Sequence, residues 1–168
     1  TIINVPSTEE QRIMAGKIEA RLAELGIELP DAAAPAANYA PYAISGKTLY
    51  LAGQVTFWNG ELQYLGKLGD TISLEDGYQA ARLCGLNLIA QMRTAADGDL
   101  DRVARVLRLG GFVNSTPDFT DQPKVINGAS DLMVEVFRDA GRHARAAVSA
   151  GSLPLGVSVE IDAVVELT

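Results

Sequence analysis

The sequence is nearly devoid of cysteine and histidine: Cys84 and His143 are the only residues of their types among 168. One cysteine cannot form an intrachain disulfide, which fits a reducing compartment, so we expect a cytoplasmic protein. One histidine excludes histidine-rich zinc sites, and any histidine-based catalytic triad would depend on that single side chain. Because Cys84 falls within an apolar helical stripe, we interpret it as a core residue rather than a nucleophile.

Basic residues are also scarce: the sequence has 14 Lys and Arg but 21 Asp and Glu, which gives a net charge of −7. An acidic surface of this kind repels phosphate backbones, and no basic or aromatic run typical of RNA binding is present. No apolar run approaches the ~20 residues that cross a bilayer. Residues 1–4 also lack the basic and apolar regions that open a secretory signal. We therefore predict no nucleic-acid partner and no membrane association.

The length and pattern predict a single domain over residues 1–168. Residues 7–10 (STEE) resemble a capping box, and the apolar positions that follow have helical spacing up to Gly26. We thus expect an N-terminal helix within residues 1–29 and an alanine- and proline-rich connector over residues 30–41. The apolar positions of the helix are Met14, Ile18, Leu22 and Leu25.

The core, residues 42–168, alternates strand and helix patterns. Residues 49–55 form an apolar strand, and Asn59-Gly60 is a strong hairpin signal that folds residues 55–58 back on residues 61–64. Helix patterns then alternate with strand patterns, so an α+β fold with two long helices on one mixed sheet is expected. The remaining predictions are a helix from Ser73 to about Gly98, a strand over 103–113, a helix from about Val125 to Gly141, and strands over 145–150 and 157–167.

The last strand shows the clearest alternation of the chain. Val157 to Leu167 place apolar side chains on one face, whereas Glu160 falls on the other, mostly polar face. Val164 interrupts that polar face, which indicates partial cover by another surface. Gly110-Gly111 matches no phosphate-binding pattern and is interpreted as a turn or a strand kink.

Arg145 is unusual because it opens an apolar strand, where a buried charge requires a partner. Two interpretations remain open. One is a structural ion pair with Glu160 or Asp162 on the last strand. The other is a ligand site, since a guanidinium binds a carboxylate through two hydrogen bonds in a geometry that lysine cannot reproduce.

The end of the chain resembles the reactive intermediate deaminase family, known as RidA or YjgF-like and also as the endoribonuclease L-PSP family. The resemblance rests on residues 144–148 (ARAAV), Leu153-Pro154 and residues 159–163 (VEIDA), which match its arginine, its Leu-Pro pair and its final strand. Further similar segments occur upstream, so that the resemblance covers about residues 41–167. These segments are residues 40–42 (APY), 51–54 (LAGQ), 112–114 (FVN) and 125–127 (VIN).

The resemblance implies a chorismate-mutase-like fold, here with an extra N-terminal helix, and homotrimers with pockets between subunits. It implies hydrolysis of enamine and imine intermediates, such as 2-aminoacrylate, to 2-keto acids and ammonia, with no metal and no cofactor. By position, Arg145 would bind the substrate carboxylate and Glu160 would orient water or shuttle its proton. Tyr42, Asn127 and the backbone of Gly53 would line the pocket.

The chain departs from the family pattern beside the arginine. Ala146 and Ala147 replace the serine and cysteine that commonly follow it, and Ala52 replaces the serine before Gly-Gln. His143 lies outside the general signature and is either a pocket residue or a helix C-terminal cap. Three functions therefore compete: imine deaminase, non-catalytic binding of 2-keto acids or similar small carboxylates, and, least favoured, ribonuclease.

Overall fold

A computed structural model of the protein describes residues 16–34 and 37–168. The predicted capping box at residues 7–10 and Met14 lie outside the described residues. The first helix of the described residues, α1, runs over Lys17–Glu24 and buries Leu22. Gly26 follows it with a φ of 64°, a left-handed conformation that suits the predicted end of this helix.

Two longer helices follow, α2 over Leu74–Ala95 and α3 over Gln122–Phe137. The Ser73 hydroxyl caps α2 as predicted, accepting a hydrogen bond from a backbone N–H of its first turn. The α-helical part of α3 ends at Phe137, earlier than predicted, and a 3-10 turn over Arg138–Gly141 continues to the expected stop.

Five strands form one mixed sheet in the order β1-β2-β7-β5-β6, and two very short strands form a separate hairpin. Among the strands of the described residues, only β5 and β6 pair in parallel, because α3 crosses between them. The strands are β1 (Tyr42–Ser45), β2 (Thr48–Gln54), β3 (Phe57–Trp58), β4 (Glu61–Leu62), β5 (Val103–Asn114), β6 (Ala144–Ala150) and β7 (Val159–Leu167).

The sequence patterns located six of these strands but not β1. Its four residues pair with β2 at the sheet edge through a turn at Gly46, whose φ is 60°. A four-residue edge strand after a proline leaves too short a pattern to identify. The hairpin at Asn59-Gly60 is confirmed, with φ angles of 47° and 89°, and it joins β3 to β4.

The helices α2 and α3 cover one face of the sheet, which confirms the predicted α+β arrangement. We call this the helix face and the other the open face. On β7 the predicted apolar set, including Val159 and Ile161, lies in the core on the helix face, while Glu160 and Asp162 point to the open face.

Glycine allows the two long helices to approach each other closely. A Cβ atom added to Gly128 of α3 would lie 3.0 Å from the backbone nitrogen of Arg82 and nearer still to the carbonyl oxygen of Tyr78 on α2. Gly85 of α2 has a similar role, since its Cβ would lie 2.9 Å from Leu132 Cδ2. The separation of α2 and α3 is thus set by residues without side chains.

Gly110 and Gly111 lie within β5 rather than in a turn or kink, so that interpretation was wrong. A Cβ at Gly111 would lie 2.7 Å from Ile126 on α3, and one at Gly110 would lie 3.0 Å from the Asp162 carboxyl carbon. Gly111 therefore leaves room for Ile126 on the helix face, and Gly110 leaves room for Asp162 on the open face. These contacts arise from the folded arrangement of the chain, so the glycine pair alone does not reveal them.

We predict that Gly128→Ala destabilises the protein by about 1–3 kcal/mol, because the added methyl group must push α2 and α3 apart. Chemical denaturation monitored by circular dichroism would measure this loss. Gly151→Ala is the matched control, since a Cβ there meets no atom within 4 Å. Equal stability of the two variants would contradict this account of the helix contact.

Candidate functional site

Arg145 lies near the start of β6, on the helix face of the sheet, beside the fully buried Leu109 of β5. Its Nη1 donates a hydrogen bond to Ser130 Oγ at 3.0 Å, and its Nη2 donates to the carbonyl oxygen of Pro123 at 3.2 Å. Both acceptors belong to α3. The helix thus holds the guanidinium while the side chain stays partly open to solvent.

His143 extends this contact by two further hydrogen bonds. Its Nε2 lies 2.9 Å from Ser130 Oγ and its Nδ1 lies 2.7 Å from the carbonyl oxygen of Gly141. Burial and the nearby Arg145 cation lower the pKa of His143, although the bond to Gly141 acts in the opposite direction. The predicted pocket residue is therefore connected to Arg145 through the hydroxyl of Ser130.

A surface cavity of about 270 Å³ opens beside these groups, and we call it the arginine pocket. The predicted Asn127 lines it together with Arg145 and His143. Its walls also include Asp131, whose carboxylate accepts a hydrogen bond from the Tyr78 hydroxyl at 2.7 Å. That bond raises the pKa of Tyr78 to about 12. The lining residues are Asn127, Ser130, Asp131, Val134, Arg142, His143 and Arg145.

Glu160 lies on the open face of β7, directly across from Phe112 of β5. Its half-buried carboxyl group packs over Gly53 of β2, where an added Cβ would lie 3.1 Å from the carboxyl carbon. Within residues 16–34 and 37–168, no side-chain hydrogen bond or ion pair engages this carboxylate. Burial, followed by the charge of Asp162, raises the pKa of Glu160.

A second cavity, of about 230 Å³, contains Glu160 and Gly53, and we call it the glutamate pocket. Tyr42 is not among its lining residues, because its partly buried ring packs on the hydrophobic core. Tyr39 and Pro41, just upstream, line the pocket instead. The connector adds Ala33 and Ala34, and α2 adds Asn87 and Gln91. Gln91 holds this part of the connector by donating a hydrogen bond to the Ala33 carbonyl at 2.8 Å.

The predicted site residues other than Tyr42 therefore fall into two separate pockets of one chain. Arg145 belongs to the helix face and Glu160 to the open face, so the ion pair considered between them is not formed. Asp162, the other partner considered for Arg145, instead pairs with Arg108 at 3.2 Å on the open face. Arg145 thus has no carboxylate partner among the residues that the structure describes.

The remaining candidate groups do not form a further centre in the described part of the chain. Cys84 is fully buried, its Sγ donates to the Val159 carbonyl at 3.5 Å, and burial raises the pKa of its thiol. Across residues 16–34 and 37–168, no three His, Cys, Asp or Glu side chains gather as a metal site would require. Over the same ranges, no helix combines the length and apolarity needed to cross a membrane.

Sequence reasoning missed Ser130, the residue that joins His143 to Arg145. A signal was available, because Ser130 follows Asn127 by three positions and so shares its face of α3. No sequence signal marks the carbonyl of Pro123 as a partner of Arg145, since every residue has a carbonyl group. A cavity of about 340 Å³ between the β3–β4 hairpin and α2 contains none of the predicted site residues.

Comparison with known proteins assigns this architecture to one family. Residues 19–167 match the family model described as "YjgF/chorismate mutase-like, putative endoribonuclease". The Trypanosoma cruzi protein TCP17 is 49% identical over 156 residues, covering 92% of this chain and 97% of the relative.

Solved structures agree with the match. The protein Atu1372 from Agrobacterium tumefaciens is 48% identical and superposes with a TM-score of 0.84, covering 90% of this chain and 92% of its own. A protein from Shewanella oneidensis is 39% identical with a TM-score of 0.87, covering 90% of this chain and all of its own.

The raised pKa of Glu160 predicts that Glu160→Gln stabilises the protein at neutral pH. Because the folded-state pKa lies above the ordinary value of 4.5, ionisation costs more in the folded state than in the unfolded state. The gain in melting temperature should therefore be largest at neutral pH. It should shrink as the pH falls through the raised pKa and vanish below the ordinary value.

Thermal denaturation between pH 4 and pH 8 would measure the effect. The control is Glu166→Gln, which removes an exposed carboxylate from the same strand and face. A Glu160→Gln variant that is less stable than the wild type at neutral pH would show that the carboxylate has a stabilising partner.

Proposed function

Since the chain belongs to the YjgF/chorismate mutase-like family, we propose that it hydrolyses reactive imines to 2-keto acids and ammonia at a site shared by two copies. The family supports a small-molecule deaminase or binding role in general. The main observation in support of this specific reaction is that the groups of the two pockets are complementary. One presents a guanidinium with free N–H groups, and the other presents a half-buried carboxyl group with a raised pKa.

The arginine pocket suits a small carboxylate. A guanidinium has five N–H donors, and Arg145 uses two of them, toward Ser130 and Pro123. Three donors remain for a ligand, enough for a two-bond contact with a carboxylate. Asn127 adds an amide to the same pocket. Substrates with a carboxylate next to the imine, such as 2-iminopropanoate, fit this donor set.

The glutamate pocket suits the hydrolytic step. 2-Aminoacrylate first tautomerises to the imine, and water then adds across the C=N bond, its oxygen bonding to carbon while the π electrons move to nitrogen. Glu160 accepts a proton from the water and passes it to the nitrogen, which gives a carbinolamine. The hydroxyl proton of the carbinolamine is then transferred to the nitrogen, the C–N bond breaks with its electron pair on nitrogen, and ammonia leaves as the oxygen forms the C=O bond. A raised pKa makes Glu160 a stronger base than an ordinary carboxylate.

A second copy of the chain supplies the missing half of the site. In one chain, Arg145 and Glu160 lie on opposite faces of the sheet and line different pockets, so in this proposal a ligand meets both groups where two chains contact each other. The open face also exposes apolar side chains: Phe112, directly across from Glu160, is 37% exposed, Val148 47% and Tyr50 51%. Such a patch favours self-association, and the family resemblance favours a homotrimer.

Ribonuclease activity is not proposed, although the family description includes the word endoribonuclease. The net charge of −7 opposes binding to a phosphate backbone. The only histidine is held between Gly141 and Ser130 and has a lowered pKa, so it is neutral rather than cationic at neutral pH.

We predict that light scattering gives three times the chain mass of 17.8 kDa at micromolar concentration. Val148→Glu should shift the protein toward smaller species, because it places a charge on the apolar open face. Leu74→Glu, an exposed position at the start of α2, is the control and should leave the mass unchanged. A monomer mass for the wild type would contradict the shared site.

We predict that Arg145→Lys weakens binding of pyruvate or 2-ketobutyrate at least tenfold, since the lost two-bond contact costs about 2–5 kcal/mol. Arg82→Lys is the matched control, because Arg82 pairs with Glu135 at 2.9 Å outside both pockets. Isothermal titration calorimetry would compare the affinities. A loss of melting temperature without loss of affinity would instead identify Arg145 as a structural residue.

Glu160→Gln should lower ammonia release from freshly generated 2-aminoacrylate to the uncatalysed rate while 2-keto acid binding is retained. The amide keeps the size of the side chain but cannot accept the proton from water. If the wild-type protein binds 2-keto acids and releases no ammonia above the uncatalysed rate, the protein is a binding module and the catalytic proposal is wrong.

A further inference from the structure

We propose that Ser130 and His143 are positioning residues, which fix the Arg145 guanidinium in the orientation that receives the substrate carboxylate. The inference rests on the proposed function, because it assigns a role to residues around the proposed carboxylate-binding group. It concerns a chain of hydrogen bonds from the Gly141 carbonyl through His143 and Ser130 to Arg145.

The direction of each hydrogen bond follows from the chemistry of the groups. The Gly141 carbonyl can only accept, so Nδ1 of His143 carries a proton. In a neutral imidazole the other nitrogen, Nε2, is then an acceptor, and the Ser130 hydroxyl must donate to it. The oxygen of Ser130 thereby directs its lone pairs at Arg145 Nη1, which donates to it.

The guanidinium is held at two points on α3. Nη1 is fixed by Ser130 and Nη2 by the Pro123 carbonyl, in the first turn of the helix. The Nε–H and one N–H on each η nitrogen are left for a ligand. An arginine that is already ordered loses less side-chain entropy when it binds than a freely rotating one. Removing either link of the chain should therefore weaken carboxylate binding.

The hydrogen-bond chain from Gly141 to Arg145 depends on His143 being neutral. The charged groups that line the pocket around it are Arg142 and Arg145 and, on α3, Asp131, which is bonded to the Tyr78 hydroxyl. The lowered pKa keeps the ring neutral at neutral pH. Protonation would give Nε2 a hydrogen, and the Ser130 hydroxyl would lose its acceptor on His143.

The single histidine makes this arrangement directly observable. In protein labelled with 15N-histidine, all imidazole signals come from His143. We expect the Nδ1–H tautomer at neutral pH and a pKa below 6.5, the ordinary value for histidine. The Ser130→Ala variant should shift the Nε2 resonance, because its hydrogen-bond donor is gone. An Nε2–H tautomer in the wild-type protein would overturn the proposal.

Binding of pyruvate tests the role of the hydrogen-bond chain. We expect Ser130→Ala and His143→Ala to raise the Kd for pyruvate about 3–10-fold, as the loss of one ordering hydrogen bond would. His143→Gln should stay within about twofold of the wild type, because its amide oxygen can accept from Ser130. Thr94→Ala is the control, since its hydroxyl bonds only the Ala90 carbonyl of its own helix α2.

A positioning role also predicts which kinetic parameter changes. With Glu160 intact, Ser130→Ala should raise KM for the imine while kcat changes less. Rescue by His143→Gln, with melting temperatures matched to the control, separates positioning from a purely structural role. If Ser130→Ala does not fold, Ser130→Thr and the two His143 variants provide the same comparison.

The outcomes distinguish this inference from the proposed function. If the wild type binds pyruvate and both alanine variants bind it equally well, the positioning inference is wrong and the proposed function stands. If the wild type binds neither pyruvate nor 2-ketobutyrate, the proposed function fails and the inference fails with it. Weaker binding in both alanine variants, restored in His143→Gln, supports the inference.

Discussion

The structure depends on one constraint: a five-stranded sheet has two faces, and α2 and α3 cover only one of them. Side chains alternate between the two faces along every strand, so the position of a residue in its strand decides whether its side chain lies in the core or on the open face. Arg145 falls on the covered face, where α3 supplies hydrogen-bond partners, and Glu160 falls on the uncovered one. Because the sheet separates the two groups within one chain, the proposed reaction would take them from two chains.

The same alternation explains how much could be predicted from the sequence. The faces of β7, the hairpin at Asn59-Gly60 and the α+β order follow from local patterns, which are visible within ten or so residues. The strand β1 is too short for such a pattern. Ser130 shares a face of α3 with Asn127, but its importance comes from its contacts with Arg145 of β6 and with His143 just before that strand, and these contacts form only in the folded chain.

Two glycines make room for charged side chains on the open face, and they lower the stability of the strands that contain them. Gly53 leaves room for the Glu160 carboxyl group, and Gly110 does the same for the ion pair of Arg108 with Asp162. Glycine within a strand contributes no packing and loses more entropy on folding than other residues. A half-buried carboxyl group with a raised pKa adds a further cost. Features that weaken the fold are thus concentrated where the proposed chemistry takes place, as is common at functional sites.

The departures from the family pattern fit this view of the arginine. Residues 146 and 147 are both alanine, and Ala147 packs partly buried against the core. No hydroxyl or thiol therefore follows Arg145 on its own strand until Ser149. The polar partners of its guanidinium come from α3, as Ser130 and the Pro123 carbonyl. Ser130 is in turn bonded to His143, just before the strand. Because α3 is also packed closely on α2 through Gly128, the orientation of Arg145 depends on the same helix contact that holds the core together.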